Sequence, residues 1–354
     1  MYDLYAPLVD DVDAKITFEE AKETVEKALA VMGKEYTDAL HYGMNAGWID
    51  VYENEGKRSG AYSWGSYGVH PYVLLNHNDT VNSMFTLAHE MGHALHSYFT
   101  WEKQPYLYSG HKIFVAEVAS TCNEALLMEY LLKTTEDKNM RKYLVNYFLE
   151  QFRGTLFRQT MFAEFEKITH EMAEKGEPLT WEGMNKIYHD LNRLYFGDDI
   201  VIDEEIDIEW ARIPHFYNAF YVYQYATGYS AAIALSRKIL SEGQPAVDAY
   251  LDFLSKGDSE YSIDLLKGAG VDMSKKDAVE NWGDKFSQKR FHKAVLDIGP
   301  ASFDVIRKHL GRSFLQKTPS QMFLSFFNIF PQPAPHWLQA PPKTQTVLRP
   351  AYIW

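Results

Sequence analysis

His89 and His93 bracket Glu90-Met-Gly within the run Thr86-Leu-Ala-His-Glu-Met-Gly-His-Ala-Leu95. On a helix, positions i and i+4 share one face with Cβ atoms about 5–6 Å apart, so both imidazoles can reach one metal ion. Glu90 lies one residue round and can border such an ion without binding it. The pairing alone also describes two ordinary core or surface histidines, so the reading depends on a third ligand. Glu117 supplies it. It lies in the apolar, helically spaced stretch Ile113-Phe-Val-Ala-Glu-Val-Ala-Ser-Thr-Cys-Asn-Glu124, where an unpaired carboxylate is costly and a divalent cation neutralises it. Two His and one Glu with a fourth position open to water form a catalytic zinc set, here one Zn2+ per chain. A Cys-rich structural zinc site is excluded, because Cys122 is the only cysteine.

Spacing narrows the class. Twenty-three residues separate His93 from Glu117. A thermolysin-like glutamate would fall near positions 112 and 113, which are Lys112 and Ile113. A metzincin needs Gly at 96 and His at 99, where this chain has His96 and Phe99. Glu124, seven residues past Glu117, shares its helix face and suits an acceptor that orients a ligating imidazole, or is an ordinary helix glutamate. His96 reads as structural, and Cys122, with no basic neighbour to activate it, as packing.

These side chains require long helices. Val81, Met84, Leu87, Ala88, Met91 and Leu95 recur at the spacing that buries most of one helix and holds its histidines, and Asn78-Asp79-Thr80 offers an N-cap. Residues 15–45 read as one amphipathic helix. Residues 47–76 change period into short aromatic and β-branched runs split by Gly and Pro, which predicts two or three strands. From there to about residue 290 the chain reads mostly as helix, with breaks at 101–108, 176–180, 197–207, 243–245 and 267–272. The expected fold is mainly α, a helical zincin catalytic domain with a small antiparallel β-sheet beside the active-site cleft.

The 354 residues suggest roughly two domains' worth of chain. Hydrophobic content of 46% and charged content of 23% exclude a mostly disordered chain. A net charge of -13 without a strong basic patch argues against nucleic acid as a partner. No run approaches the roughly 18 apolar residues of a membrane span, and the start Met1-Tyr-Asp-Leu-Tyr-Ala-Pro lacks the form of a signal peptide. The expectation is a cytoplasmic protein with no membrane partner. The end of the chain differs in character. Eight of fourteen prolines lie at or after Pro300, and from His292 onward seven Lys/Arg face two Asp/Glu. The expected division is a catalytic domain over 1–290 and an atypical Pro-rich tail over 291–354, read either as a docking tail or as a non-native extension from a shifted reading frame.

The chain resembles the catalytic part of the thimet-oligopeptidase-type zinc metallopeptidases, the oligoendopeptidase F group among them. The likeness rests on the His89–His93 motif, the Phe114–Ser120 segment and the run from Pro214 to Gly228, with the run from Lys57 to Trp64 also similar, and it covers roughly residues 1–285 with several separate motifs in order. It implies a largely helical fold with a small sheet beside a deep channel, and zinc held by His89, His93 and Glu117. Glu90 is then the general base on the zinc-bound water, and the substrates are short peptides cut at internal bonds. In the third motif His215, Tyr217, Tyr221, Tyr223 and Tyr225 crowd one short stretch. Most such rings are core, but the oxyanion of peptide hydrolysis needs donors beyond the metal. The family pattern gives that role to His215 and Tyr223, with Tyr217 in reserve as a substrate contact; Tyr221 and Tyr225 are expected to point largely elsewhere. Members of the family normally carry a long N-terminal helical region ahead of this part. The chain is therefore expected to be truncated there, and either to hold peptides weakly or to self-associate through the surface so exposed. A second function of a different kind follows: a catalytically weak remnant serving as a metal- or peptide-binding module.

Overall fold

The computed structural model describes residues 14–197 and 200–273. The proposed tail at 291–354 and the start of the chain lie outside the described residues.

Thr17 opens helix α1 (Phe18–Leu29) with a reciprocal cap. Its hydroxyl accepts the Glu20 N–H while Glu20 accepts the Thr17 N–H at 2.8 Å. Ala21, Val25, Ala28 and Leu29 fall on the buried face. The helix expected over 15–45 is in fact two. A 3-10 turn at Ala30–Met32 and a positive φ of 75° at Gly33 separate α1 from α2 (Gly33–Asn45), because the left-handed region at Gly33 interrupts the α path.

Three strands follow: β1 (Ile49–Tyr52), β2 (Tyr62–Trp64) and β3 (Tyr72–His77). The small sheet is present but mixed rather than purely antiparallel, in the order β1-β3-β2, with β1 parallel and β2 antiparallel to β3. β3 takes the centre because it is the longest and buries Val73, Leu75 and His77 on alternate positions.

Thr80 caps helix α3 (Val81–Lys103) by accepting the Ser83 N–H at 3.1 Å. Helix α4 (Ile113–Thr134) packs on α3, and α8 (Tyr223–Glu242) lies along the other side of α4. These three helices, with α1, α2, the sheet, α9 (Gln244–Ser255) and α10 (Ser262–Gly268), enclose the main core. Helix α5 (Lys138–Gln151) runs through a π-helical stretch, Phe152–Phe157, into α6 (Arg158–Glu174). Helices α6 and α7 (Trp181–Phe196) build a second, smaller core with Ile213, Phe216, Val222 and Tyr223. Among the described residues no helix is long and apolar enough to cross a membrane.

Candidate metal centre

Helix α3 presents His89 and His93 toward α4, and their Nε2 atoms lie 3.2 Å apart. Glu117, in the second turn of α4, places Oε2 at 3.4 Å from His89 Nε2 and 3.5 Å from His93 Nε2. Ligands bound tetrahedrally at 2.0–2.1 Å are separated by about 3.3–3.4 Å, so this triangle has the edges a zinc ion requires. The three side chains keep a fifth to a third of their surface exposed. The cluster is therefore partly reachable from solvent.

Acidic groups crowd the two imidazoles. Burial works against protonation of His89, but Glu124 and Glu117 outweigh it and hold the ring's pKa well above the usual imidazole value. Burial pushes Glu117 up, yet hydrogen bonds from His89 and His93 prevail and keep its carboxyl well below the usual range. Glu90 is buried, and its Oε2 finds no hydrogen-bond partner. Burial raises its carboxyl while the two imidazoles pull the other way. Three carboxylates thus act on the two imidazoles, and one oxygen of the buried Glu90 has no hydrogen-bond donor.

The helices approach closely because of small and polar residues. A Cβ on Gly92 would stand 2.6 Å from Ser120 Cα and 2.7 Å from the Ala119 carbonyl, so only glycine lets α3 close on α4 beside His93. Gly228 does the same for α8, where a Cβ would lie 3.2 Å from that of Glu117. Asn123, wholly buried, donates to the Ala88 carbonyl at 3.0 Å and accepts from the Tyr36 hydroxyl at 2.7 Å, tying α4 to α3 one residue before His89. Ser120 donates to Glu117 Oε2 at 2.9 Å and orients it. Glu124 Oε2 lies 3.2 Å from His89 Nδ1, and the Gln151 amide donates to Glu124 Oε1 at 3.2 Å. With Nδ1–H given to Glu124, the Nε2 lone pair of His89 is free for a metal. Glu124 thus touches the His89 ring, the contact that the orienting one of its two sequence readings requires.

The His215 segment reaches the same region from the second core. Pro214–Tyr217 is a 3-10 turn, and α8 begins at Tyr223. The Tyr225 hydroxyl lies 3.3 Å from His215 Nε2, with Tyr221 packed against both rings at 5.8 and 5.5 Å. Burial, Tyr221 and then the Glu117 carboxylate raise the Tyr225 hydroxyl, whereas Tyr223 is raised by burial alone and sets its ring against Phe114. Tyr221 and Tyr225, expected to point elsewhere, are thus the rings that meet His215. Tyr223 turns into the second core, and Tyr217 stands 90% exposed. His96 is buried and stacks on His111 at 4.2 Å, and burial lowers both rings, His111 to about 4. Both are neutral at ordinary pH. Cys122 is fully buried with its thiol pushed up to about 12, which makes it a packing residue.

The model of peptidase family M3 matches residues 9–282. The chain is 58% identical over 289 residues to the oligopeptidase PepF of Bacillus subtilis, covering 82% of this chain and 43% of that one. It is 47% identical over 281 residues to the chromosomal oligoendopeptidase F of Lactococcus lactis subsp. cremoris, covering 79% of this chain and 46% of that one. A crystal structure from Chlamydophila abortus superposes with a TM-score of 0.73 at 40% identity, over 92% of this chain and 50% of that one. The oligoendopeptidase-F structure from Enterococcus faecium gives 0.60 at 36% identity, over 88% and 46%. The chain thus spans half or less of the length of the relatives it matches. The helical fold, the arrangement around His89 and His93 and a family match over most of the sequence lead to one assignment: the chain belongs to peptidase family M3.

Proposed function

We propose that the chain is a zinc-dependent endopeptidase portion that hydrolyses internal bonds of short peptides. The observation that carries the reading is the ligand triangle of His89, His93 and Glu117, partly exposed, with the unpartnered Glu90 oxygen at its side. His89, His93 and Glu117 would hold one zinc ion, which when bound polarises a peptide carbonyl and lowers the pKa of water to about 7. Glu90 takes the proton of the attacking water and returns it to the departing amine. Its lack of a donor within the protein suits that duty, since no internal bond has to break before it accepts a proton. Negative charge then builds on the former carbonyl oxygen, where a donor from another helix helps. His215 and Tyr225 suit the role as a pair. The Tyr225 hydroxyl, hydrogen-bonded to Tyr221, lies beside His215 Nε2, and the pair offers O–H and N–H donors that can turn to the substrate oxygen. We assign Tyr223 to the wall of the second core beside them, and the exposed Tyr217 to contact with the peptide.

The test is hydrolysis of an internally quenched peptide by the purified chain. Activity should be abolished by a chelator and restored by zinc. Glu90→Gln should lower kcat by about 10²–10⁴-fold with zinc still bound. Full zinc occupancy in the wild type with no cleavage would favour the alternative, a metal- or peptide-binding module. Loss of zinc from Glu90→Gln would contradict its role as a base that does not ligate.

A further inference from the structure

Phe220 has a φ of 60°, and the only other non-glycine at positive φ among the described residues is Asp79. Aspartate tolerates the left-handed region; a bulky aromatic residue does not, and it stays there only when its surroundings hold it. Two side chains of α6, one turn apart, do so. Glu166 Oε1 accepts the Phe220 N–H at 2.7 Å, and the His170 ring packs on the Phe220 ring at 4.6 Å.

Glu166 is only 4% exposed, and no cation among the described residues forms an ion pair with it. A carboxyl in that setting is expensive to keep. Burial pushes it up to about 7, with the Phe220 N–H pulling against the shift. Ionised or protonated, it retains an oxygen that accepts the amide. The turn it holds has a consequence at the metal centre. Directly after Phe220 the chain places Tyr221 on His215 and enters α8, where Tyr225 meets His215 Nε2.

We propose that Glu166 is a positioning residue: by accepting the Phe220 amide it holds that residue left-handed and so sets the His215–Tyr221–Tyr225 cluster toward the metal ligands. The proposal rests on the reading of His215 and Tyr225 as oxyanion donors, but its structural half can be measured without catalysis.

The experiment compares Glu166→Ala, Glu166→Gln and Phe220→Gly in the full chain, using hydrogen exchange at the Phe220 amide, the imidazole NMR signals of His215, zinc content, and affinity for a phosphinic peptide that mimics the tetrahedral state. Glu166→Ala should expose the Phe220 amide to exchange and shift the His215 signals. It should weaken phosphinic peptide binding about tenfold to a hundredfold with zinc stoichiometry unchanged, in line with the cost of misplacing a reacting group by about 1 Å. Glu166→Gln keeps the acceptor oxygen and should stay close to wild type in every readout. Phe220→Gly removes the conformational cost, so adding Glu166→Ala to it should do less damage than Glu166→Ala alone. Unchanged Phe220 exchange and His215 signals in Glu166→Ala would overturn the proposal, as would equal damage from Glu166→Gln. Wild-type protein that shows the protected amide and the His215 response but cleaves no peptide would instead count against the proposed function and leave the strut standing.

Discussion

The proposed metal ligands and the proposed oxyanion donors are held in opposite ways. His89, His93 and Glu117 project from the interiors of two long helices that touch backbone to backbone at Gly92 and are tied by the buried Asn123. His215, Tyr221 and Tyr225 come from a 3-10 turn, a strained loop and the first turn of a helix, with Tyr217 at the tip almost fully exposed. A metal tolerates only tenths of an ångström in its ligand triangle, and regular helices packed at native density deliver that. Donors to a substrate oxygen must meet a group that arrives with the peptide, and a loop anchored at one amide leaves room to adjust. The site joins a rigid half to an adjustable one.

The comparison breaks most readily at its rigid half. Gly92→Ala drives a methyl into the α4 backbone, which cannot yield cheaply. Overpacking of this kind costs about 1–3 kcal/mol, and α3 must move away from Glu117. We expect zinc binding and peptide hydrolysis both to be lost, with a lowered Tm; dialysis followed by metal analysis and a thermal melt checks it. On the adjustable half, Tyr225→Phe should lower kcat by about 10²–10³-fold with zinc content unchanged, as for removal of one oxyanion donor. Glu124→Gln leaves the ligands in place but weakens the orientation of His89, and should cost about 10–100-fold in zinc affinity by competition with a chromophoric chelator. The smallest effect belongs to Tyr223→Phe. Its ring packs on Phe114 and in the second core, so steady-state kinetics should stay within a few-fold of wild type. If Tyr223→Phe proved the more damaging of the two tyrosine variants, the assignment of donors would have to be exchanged.

What was legible in the sequence follows the same division. The convergence of His89, His93 and Glu117 could be read from residue type and helical spacing, because helix periodicity fixes which side chains share a face. Thr80 as the N-cap and the strands of the small sheet were legible for similar local reasons. The order of the strands was not, since the choice of β3 as the central strand depends on what packs against it. Gly33 was visible, but its left-handed φ splits a helix that the apolar pattern carries straight through. Which of Tyr223 and Tyr225 faces His215 was not legible, because the direction of each ring depends on how α8 crosses α4, a tertiary fact. Glu166 lies 54 residues before its partner Phe220, and nothing in the intervening pattern announces a hydrogen bond to a strained amide.

The central claim is that His89, His93 and Glu117 grip one zinc ion. X-ray absorption on the zinc-loaded chain, with metal counted per polypeptide, tests it most directly. The account predicts one zinc per chain, with two imidazole nitrogens and a carboxylate oxygen at about 2.0–2.2 Å, and loss of the bound metal in Glu117→Ala. An unchanged spectrum and full zinc content in Glu117→Ala would contradict it.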